Sequence, residues 1–486
     1  MLRSKLIFST ILTIVSICVF GTTIHVTAPA YKNQIIRWKK KIDYISNSTH
    51  IIDEQKIDKD GNVQLNGELK DVILSEISIG RSYGYLYIDT STTSYSIYFP
   101  KDTLIDNASL KKSELQLVFF DLQKNDINQL ILNFNLYYDY FLYGDTSKLI
   151  RMAIHDEEFQ DSLNDFKIFV SEKYGTKKIK YLHNYIRYEI ALLEQMAHQS
   201  KGEFYKTYLY NTYLKRHSIN YQNDAYMQFF NLFYKEPFRI AGEEIYEKVL
   251  FAINHLNNLE KVKTALSNST YFNSPKIAEL AIIKGLYDSY SHNEVDRDNI
   301  VEMLKEIADK SNVETHQKIA LDCINNLENL QKGKKCPDFH LINKKDDYIN
   351  LSNCKGEYTY INFFATWNHN SLKEMEVINQ LHQEYPFINF ISVNLDKNKN
   401  NFIKYINQNE SYKWLICQPV KREEIINDFQ LDHLPSHVLI DPNNNILQYP
   451  AYPPIPLYNN QSIDVTFFNI KKYKNERKPL NIGGKN

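Results

Sequence analysis

Residues 358–371 read YTYINFFATWNHNS, and this stretch decides the fold. Its first eight residues are nearly all apolar, as in a strand buried on both faces of a parallel sheet. Directly after it, Leu372, Met375, Ile378 and Leu381 recur at three- and four-residue spacing and predict a helix face. Asn368 or Asn370 suits the N-cap of that helix, because a short amide side chain can accept from its first free backbone N–H groups. Working outward, residues 387–395 read as a second strand, 400–409 as a second helix, 414–417 as a short strand and 423–429 as a third helix. Residues 438–440 and 446–449 flank Asp441-Pro442-Asn443-Asn444-Asn445 and read as a hairpin. The order β-α-β-α-(β)-α-β-β predicts an α/β/α sandwich on a mixed sheet.

Two different regimes precede it. Up to about Pro100, β-branched and aromatic runs at 35–38, 72–74, 83–88 and 95–99 predict short strands, with Asp58 to Asn62 as a turn, and hence a small β-sandwich. From about Asp106 to Leu330, stripes such as Leu130, Ile131, Phe134, Tyr138 and Phe141 carry helical spacing and predict an all-helical region. No fixed repeat is evident in it. At the start, Arg3 and Lys5 precede an apolar run from Leu6 to Phe20 and then Gly21-Thr22-Thr23, the pattern of a secretory signal peptide. Ile17 before Cys18 argues against lipidation, and an uncleaved anchor is the alternative to cleavage. The expected organisation is therefore multidomain α+β: signal peptide 1–23, β-sandwich 24–105, helical domain 106–330, α/β/α domain 331–455 and a polar basic tail 456–486.

Composition excludes several classes. Lys and Arg total 57 against 58 Asp and Glu, a net charge of −1, which lacks the basic excess of a nucleic-acid binder. A hydrophobic fraction of 43% can fill real cores, so wholesale disorder is out. Apart from Cys18, the cysteines are Cys323, Cys336, Cys354 and Cys417, too few and too scattered for a disulfide scaffold and without C-x-x-C spacing.

Residues within the last region resemble a known family. Gly333 to Leu341 (GKKCPDFHL) is similar to the G-x-x-A-P-x-F-x-L opening of TlpA, ResA and peroxiredoxin-like redoxins, Phe363 to Trp367 to their F-x-A-T-W, and Glu374-Met375 to the E-M that follows. Leu434-Pro435 with Val438 to Asp441 resembles their cis-proline loop and strand. The resemblance spans about 333–455 and implies a thioredoxin-like fold. The order of sandwich, helical region and redoxin domain is similar to exported Bacteroidetes proteins of the TlpA disulfide-reductase type.

The resemblance also implies W-C-x-x-C at the helix start, where the helix dipole and free N–H groups stabilise an attacking thiolate. Here the string is Trp367-Asn368-His369-Asn370-Ser371, so Asn368 and Ser371 stand where the two thiols belong. The expectation is a degenerate, non-catalytic site in a periplasmic or cell-envelope protein. Its cleft, formed by Trp367 to Ser371 with Leu434 and Pro435, would hold an extended peptide or protein partner. No cofactor or nucleic acid is expected, and membrane contact only if the signal stays attached. Two alternatives stay open: a thiol-disulfide oxidoreductase working through Cys336, Cys354 and Cys417, and a metal-binding envelope enzyme built on His369, His433 and His437.

Overall fold

Alternation of apolar and polar side chains builds the N-terminal strands, as a half-buried sheet requires. The computed structural model describes residues 21–103, 110, 112–144, 157–197, 202–290, 292, 294–328, 330–431, 433–456 and 462–476. The charged and apolar parts of the expected signal peptide, up to residue 20, lie outside the described residues. Strands β1 (Gly21–Thr27), β2 (Ile35–Lys41), β3 (Thr49–Lys56), β4 (Asn62–Glu68), β5 (Ile73–Ile79), β6 (Ser82–Ile88), β7 (Ser94–Tyr98), β8 (Ser113–Glu114) and β9 (Val118–Phe119) form two sheets. Their orders are β4-β1-β7-β9 and β3-β2-β5-β6-β8. The sheets face each other across a shared core that includes Ile24, Val26, Trp38, Ile77 and Leu86. The buried Trp38 indole donates to Ser75 Oγ at 3.0 Å, so its N–H is not stranded. This is the expected small sandwich, with two shifted boundaries. Strand β1 takes in Gly21 to Thr23, because Thr22, Ile24 and Val26 bury one face together. Strands β8 and β9 carry the sheets beyond residue 105, and two-residue strands are too short to leave a periodic signal.

The middle region is helical, as expected. It comprises α1 (Ile127–Tyr143), α2 (Glu157–Tyr174), α3 (Lys180–Ala197), α4 (Gly202–Leu209), α5 (Asp224–Phe233), α6 (Glu243–Asn254), α7 (Leu259–Leu266), α8 (Pro275–Ser289), α9 (Arg297–Lys310) and α10 (Glu314–Glu328). Asp126, Asn223, Asn258 and Asp296 cap α1, α5, α7 and α9 by accepting from backbone N–H groups two or three residues on. One continuous core fills the region, and it includes several buried tyrosines, some of whose hydroxyls are bonded to backbone carbonyls. Tyr188 donates to the Tyr213 carbonyl at 2.9 Å and Tyr234 to the Tyr271 carbonyl at 2.6 Å.

The C-terminal sheet has seven strands in the order β11-β10-β14-β13-β12-β15-β16. They are β10 (His340–Asn343), β11 (Tyr348–Asn350), β12 (Tyr358–Phe364), β13 (Ile388–Asn394), β14 (Leu415–Pro419), β15 (Ser436–Ile440) and β16 (Ile446–Gln448). Strands β12, β13 and β14 run parallel, and β15 pairs antiparallel with β12. Helices α11 (His369–Glu384), α12 (Lys399–Gln408), α13 (Arg422–Asp428) and α14 (Ile463–Glu476) cover the faces. Tyr360 and Phe364 share a core with Met375 and Ile378 of α11, Phe402 of α12 and Phe467 of α14. Ile361 and Phe363 point the other way, to Ile425 of α13 and Phe429. The three layers match the expected sandwich. The edge hairpin β10–β11 was not expected.

The expected tail 456–486 needs correcting. Residues 463–476 fold as α14, because Ile463, Phe467 and Ile470 lie at i, i+4 and i+7 and form a buried stripe in a polar segment. The Phe467 ring packs edge-on to Tyr360, Tyr385 and Phe390. Among the described residues no helix is long and apolar enough to cross a membrane. Phe467→Ala should therefore destabilise the protein by about 3–5 kcal/mol in urea unfolding. The exposed Asn469→Ala on the same helix should stay within about 0.5 kcal/mol.

Candidate functional site

The segment joining β12 to α11 leaves the sheet at the carboxyl ends of its parallel strands, where α/β sheets place their ligand crevices. A buried carboxylate pins this segment. Asp396, just past the end of β13, accepts from the Thr366 backbone N–H at 3.1 Å, from Thr366 Oγ1 at 2.7 Å and from Asn394 Nδ2 at 3.1 Å. Gln418 Nε2 donates to Asn394 Oδ1 at 3.1 Å and extends the network to β14.

Asn368 is the N-cap of α11, with Oδ1 accepting from the Ser371 N–H at 2.9 Å. Its Nδ2 donates to the Leu434 carbonyl at 3.1 Å. One amide therefore satisfies a free helix N–H and ties α11 to the Leu434–Pro435 loop, whose peptide bond is cis. His369 and Asn370 are exposed, while Trp367, Asn368, Leu434 and Pro435 are partly exposed. Ser371 is wholly buried, and neither its Oγ nor Trp367 Nε1 finds a hydrogen-bond partner among the described residues. The start of α11 and the Leu434–Pro435 loop thus lie side by side, joined by the Asn368 amide, with Ser371 buried beneath the surface rather than on it.

One turn further along α11, Glu374 Oε2 meets His437 Nε2 of β15 at 2.8 Å, both side chains buried. The Tyr360 ring stacks on the His437 imidazole at 5.6 Å and 8°. Burial, then the nearby Glu374 carboxylate, pushes the Tyr360 hydroxyl well above its ordinary pKa. His437 is thus turned into the core against Glu374, His369 is exposed at the first helical position, and His433 is exposed on the loop. The three histidines do not gather. Among the described residues no group of three His, Cys, Asp or Glu side chains is placed to hold a metal. Sequence reading noticed Glu374 only within a motif and missed Asp396 and Tyr360. The available signal was a carboxylate just past the end of a largely buried strand.

Cys336, Cys354 and Cys417 are free, at most 2% exposed, and belong together in the core on the α13 side of the sheet, away from α11. Burial raises each thiol: Cys336 to about 12, Cys354 to about 11 and Cys417 to about 12. Cys323 lies apart, buried in the helical core and likewise pushed up by burial. Almost none of these thiols is a thiolate at neutral pH, and the thiolate is the species that attacks a disulfide.

A family model described as thioredoxin-like matches residues 356–446. The thiol-disulfide oxidoreductase ResA of Bacillus anthracis is 27% identical over 123 residues, which span 25% of this chain and 70% of ResA. ResA of Geobacillus kaustophilus is 26% identical over 121 residues, 24% of this chain and 67% of its own. Among solved structures, a thiol:disulfide interchange protein from Bacteroides sp. matches with 18% identity and a TM-score of 0.27, covering 32% of this chain and 97% of that one. The thioredoxin domain of a thiol-disulfide oxidoreductase from Bacteroides vulgatus matches with 17% identity and a TM-score of 0.25, covering 30% and 98%. With the strand order already described, the family match makes the C-terminal part of this chain a thioredoxin-like domain, with a fold similar to that of ResA.

Proposed function

We propose that the thioredoxin-like domain binds an extended peptide or protein segment without exchanging disulfides, and that the protein does so in the periplasm or cell envelope after export. The observation that carries this reading is the chemistry at the start of α11. The two exchange positions hold an amide, already bonded in two directions, and a buried hydroxyl. Neither group can form a mixed disulfide, and the remaining thiols sit across the sheet in apolar surroundings that disfavour the thiolate.

Main-chain pairing supports the binding part of the reading. Leu434 lies beyond the ladder that pairs Ser436 with Phe363, so its peptide groups are not used in pairing with β12. Asn368 uses one lone pair of the Leu434 carbonyl, and the second remains for a docked strand. The export part rests on the N-terminal sequence, with its two cations, apolar run and small residues.

Insulin reduction with dithiothreitol tests the reading. The protein should match the uncatalysed rate, and Cys336→Ala, Cys354→Ala and Cys417→Ala combined should change nothing. Turnover above background that disappears in this triple variant would overturn it. Asn368→Cys with Ser371→Cys should create insulin-reducing activity, because the new thiols sit at a helix N-terminus. The bonded role of Asn368 predicts a stability effect as well. Asn368→Ala should cost about 1–2 kcal/mol in urea unfolding. Ser371→Ala, which removes a buried hydroxyl without a partner, should cost nothing or stabilise.

A further inference from the structure

A cleft of ≈ 530 Å³ opens between the N-terminal sandwich and the helical region, far along the chain from the thioredoxin-like domain. Its size falls within the usual range for small-molecule sites. Four aromatic rings from the sandwich side line it, Tyr44, Tyr85, Tyr87 and Phe119, and its charged lining residues are Glu114 and Asp224. No lysine, arginine or histidine lines it among the described residues. Asp224 opens α5 and sits on the floor, enclosed by protein yet still partly reachable from the cleft. Its two carboxylate oxygens accept from Tyr181 at 2.8 Å and Tyr87 at 2.7 Å. Burial pushes its carboxyl above the ordinary value in spite of those donors.

The charged groups of the lining are acceptors only. Asn231 spends its Nδ2 on the Tyr44 carbonyl at 2.7 Å, and its buried Oδ1 has no partner among the described residues. The carboxylate oxygens of Asp224 and Glu114 have lone pairs left for further N–H donors, and tyrosine faces attract cations. The rim already shows this preference: Lys41 Nζ stands 4.6 Å from the centre of the Tyr44 ring and donates to Asn47 Oδ1 at 3.1 Å. We propose that the cleft binds a small organic cation whose ammonium or guanidinium group is held by Asp224 and Glu114 against the tyrosine rings.

Titration calorimetry on the full chain at low salt tests this. Agmatine serves as a free cation, acetyl-Gly-Arg-Gly-amide as a peptide-borne one, and maltose and glutarate as neutral and anionic controls. At least one cation should bind with one-to-one stoichiometry. Agmatine alone points to a free ligand, and binding of both to a side chain presented by a peptide. Asp224→Asn should weaken binding by about tenfold or more, the effect of losing one charge-assisted hydrogen bond. Asp224→Asn could also loosen the junction, so Glu114→Gln and Gln228→Lys, at exposed lining positions, provide the second test. Both should weaken binding severalfold while circular dichroism and the thermal midpoint stay unchanged. Absence of cation binding at millimolar concentration, maltose or glutarate binding as tightly as the cations, or cation affinity indifferent to both rim variants would overturn the proposal.

Discussion

Strand β12 carries a polar residue at the middle of a run that is buried on both faces, and much of the C-terminal domain is arranged to satisfy it. Asn362 cannot reach water, and an amide left unpaired there would cost several kcal/mol, of the order of 2–7. Its Oδ1 accepts from Ser392 Oγ on β13, Ser392 Oγ accepts from the Trp414 indole at 2.7 Å, and its Nδ2 points to Met375 Sδ of α11 at 3.7 Å. The chain of donors works only if Asn362 stands opposite Ser392, which is their pairing in the parallel ladder. A one-residue slip would turn every side chain of β12 to the other face and break the chain. Register, the seating of α11 and the exit of residues 365–371 follow from the same requirement.

That requirement explains what the sequence disclosed. An apolar run followed by a 3.6-residue stripe is a local signal, so β12, α11, β13, α12, β15 and the hairpin were legible to within a few residues. Strand β3 was not, because none of its residues is fully buried and THIIDEQK carries no clear alternation. Helix α14 was hidden because three apolar residues decide it and the lysines around them dominate the composition. At the site, capping by Asn368 could be read from residue type, whereas its bond to Leu434 joins residues 66 positions apart and has no local trace. The Glu374–His437 pair is hidden for the same reason. His437 reads as a loop-side histidine until the alternation of β15 turns it inward.

Alternation also governs the thiols. Cys417 lies in register with Val393 on β14, and both face the α13 side of the sheet. Cys336 and Cys354, outside the strands, are drawn into the same apolar layer. A helix dipole acts mainly within its first turn, so the N-terminus of α11 does little for sulfur atoms on the opposite face. Desolvation is then the largest influence on all three, and it acts only to keep them protonated. On the proposed reading, these buried cysteines do not stand in for thiols at 368 and 371. A reactive cysteine needs a charged or dipolar neighbour as well as a place in the fold.

The junction between the sandwich and the helical region rests on a different balance. Asn128 at the start of α1 accepts from the Tyr87 N–H at 2.7 Å and donates to the Tyr87 carbonyl at 2.8 Å. A side-chain amide thus stands in for the next strand, since β8 pairs with β6 only at Ser82 and Tyr83. Asn231 and Asn326 donate in the same way to the carbonyls of Tyr44 and Ser46 at 2.7 and 2.8 Å. Each such bond exchanges for one to water, so its net contribution is only about 1 kcal/mol, and directional bonds alone would hold the two regions weakly. Apolar burial supplies the rest: Ile45, carried on the sandwich's own loop, is buried in the helical core, and Tyr44, Val72 and Tyr87 pack against that core. The loop keeps its shape because Asp43 accepts from the Ile45 and Ser46 N–H groups at 2.7 and 2.6 Å. Ile45 thus resists separation while the amides fix orientation, and together they hold open a cleft whose two walls come from different parts of the chain.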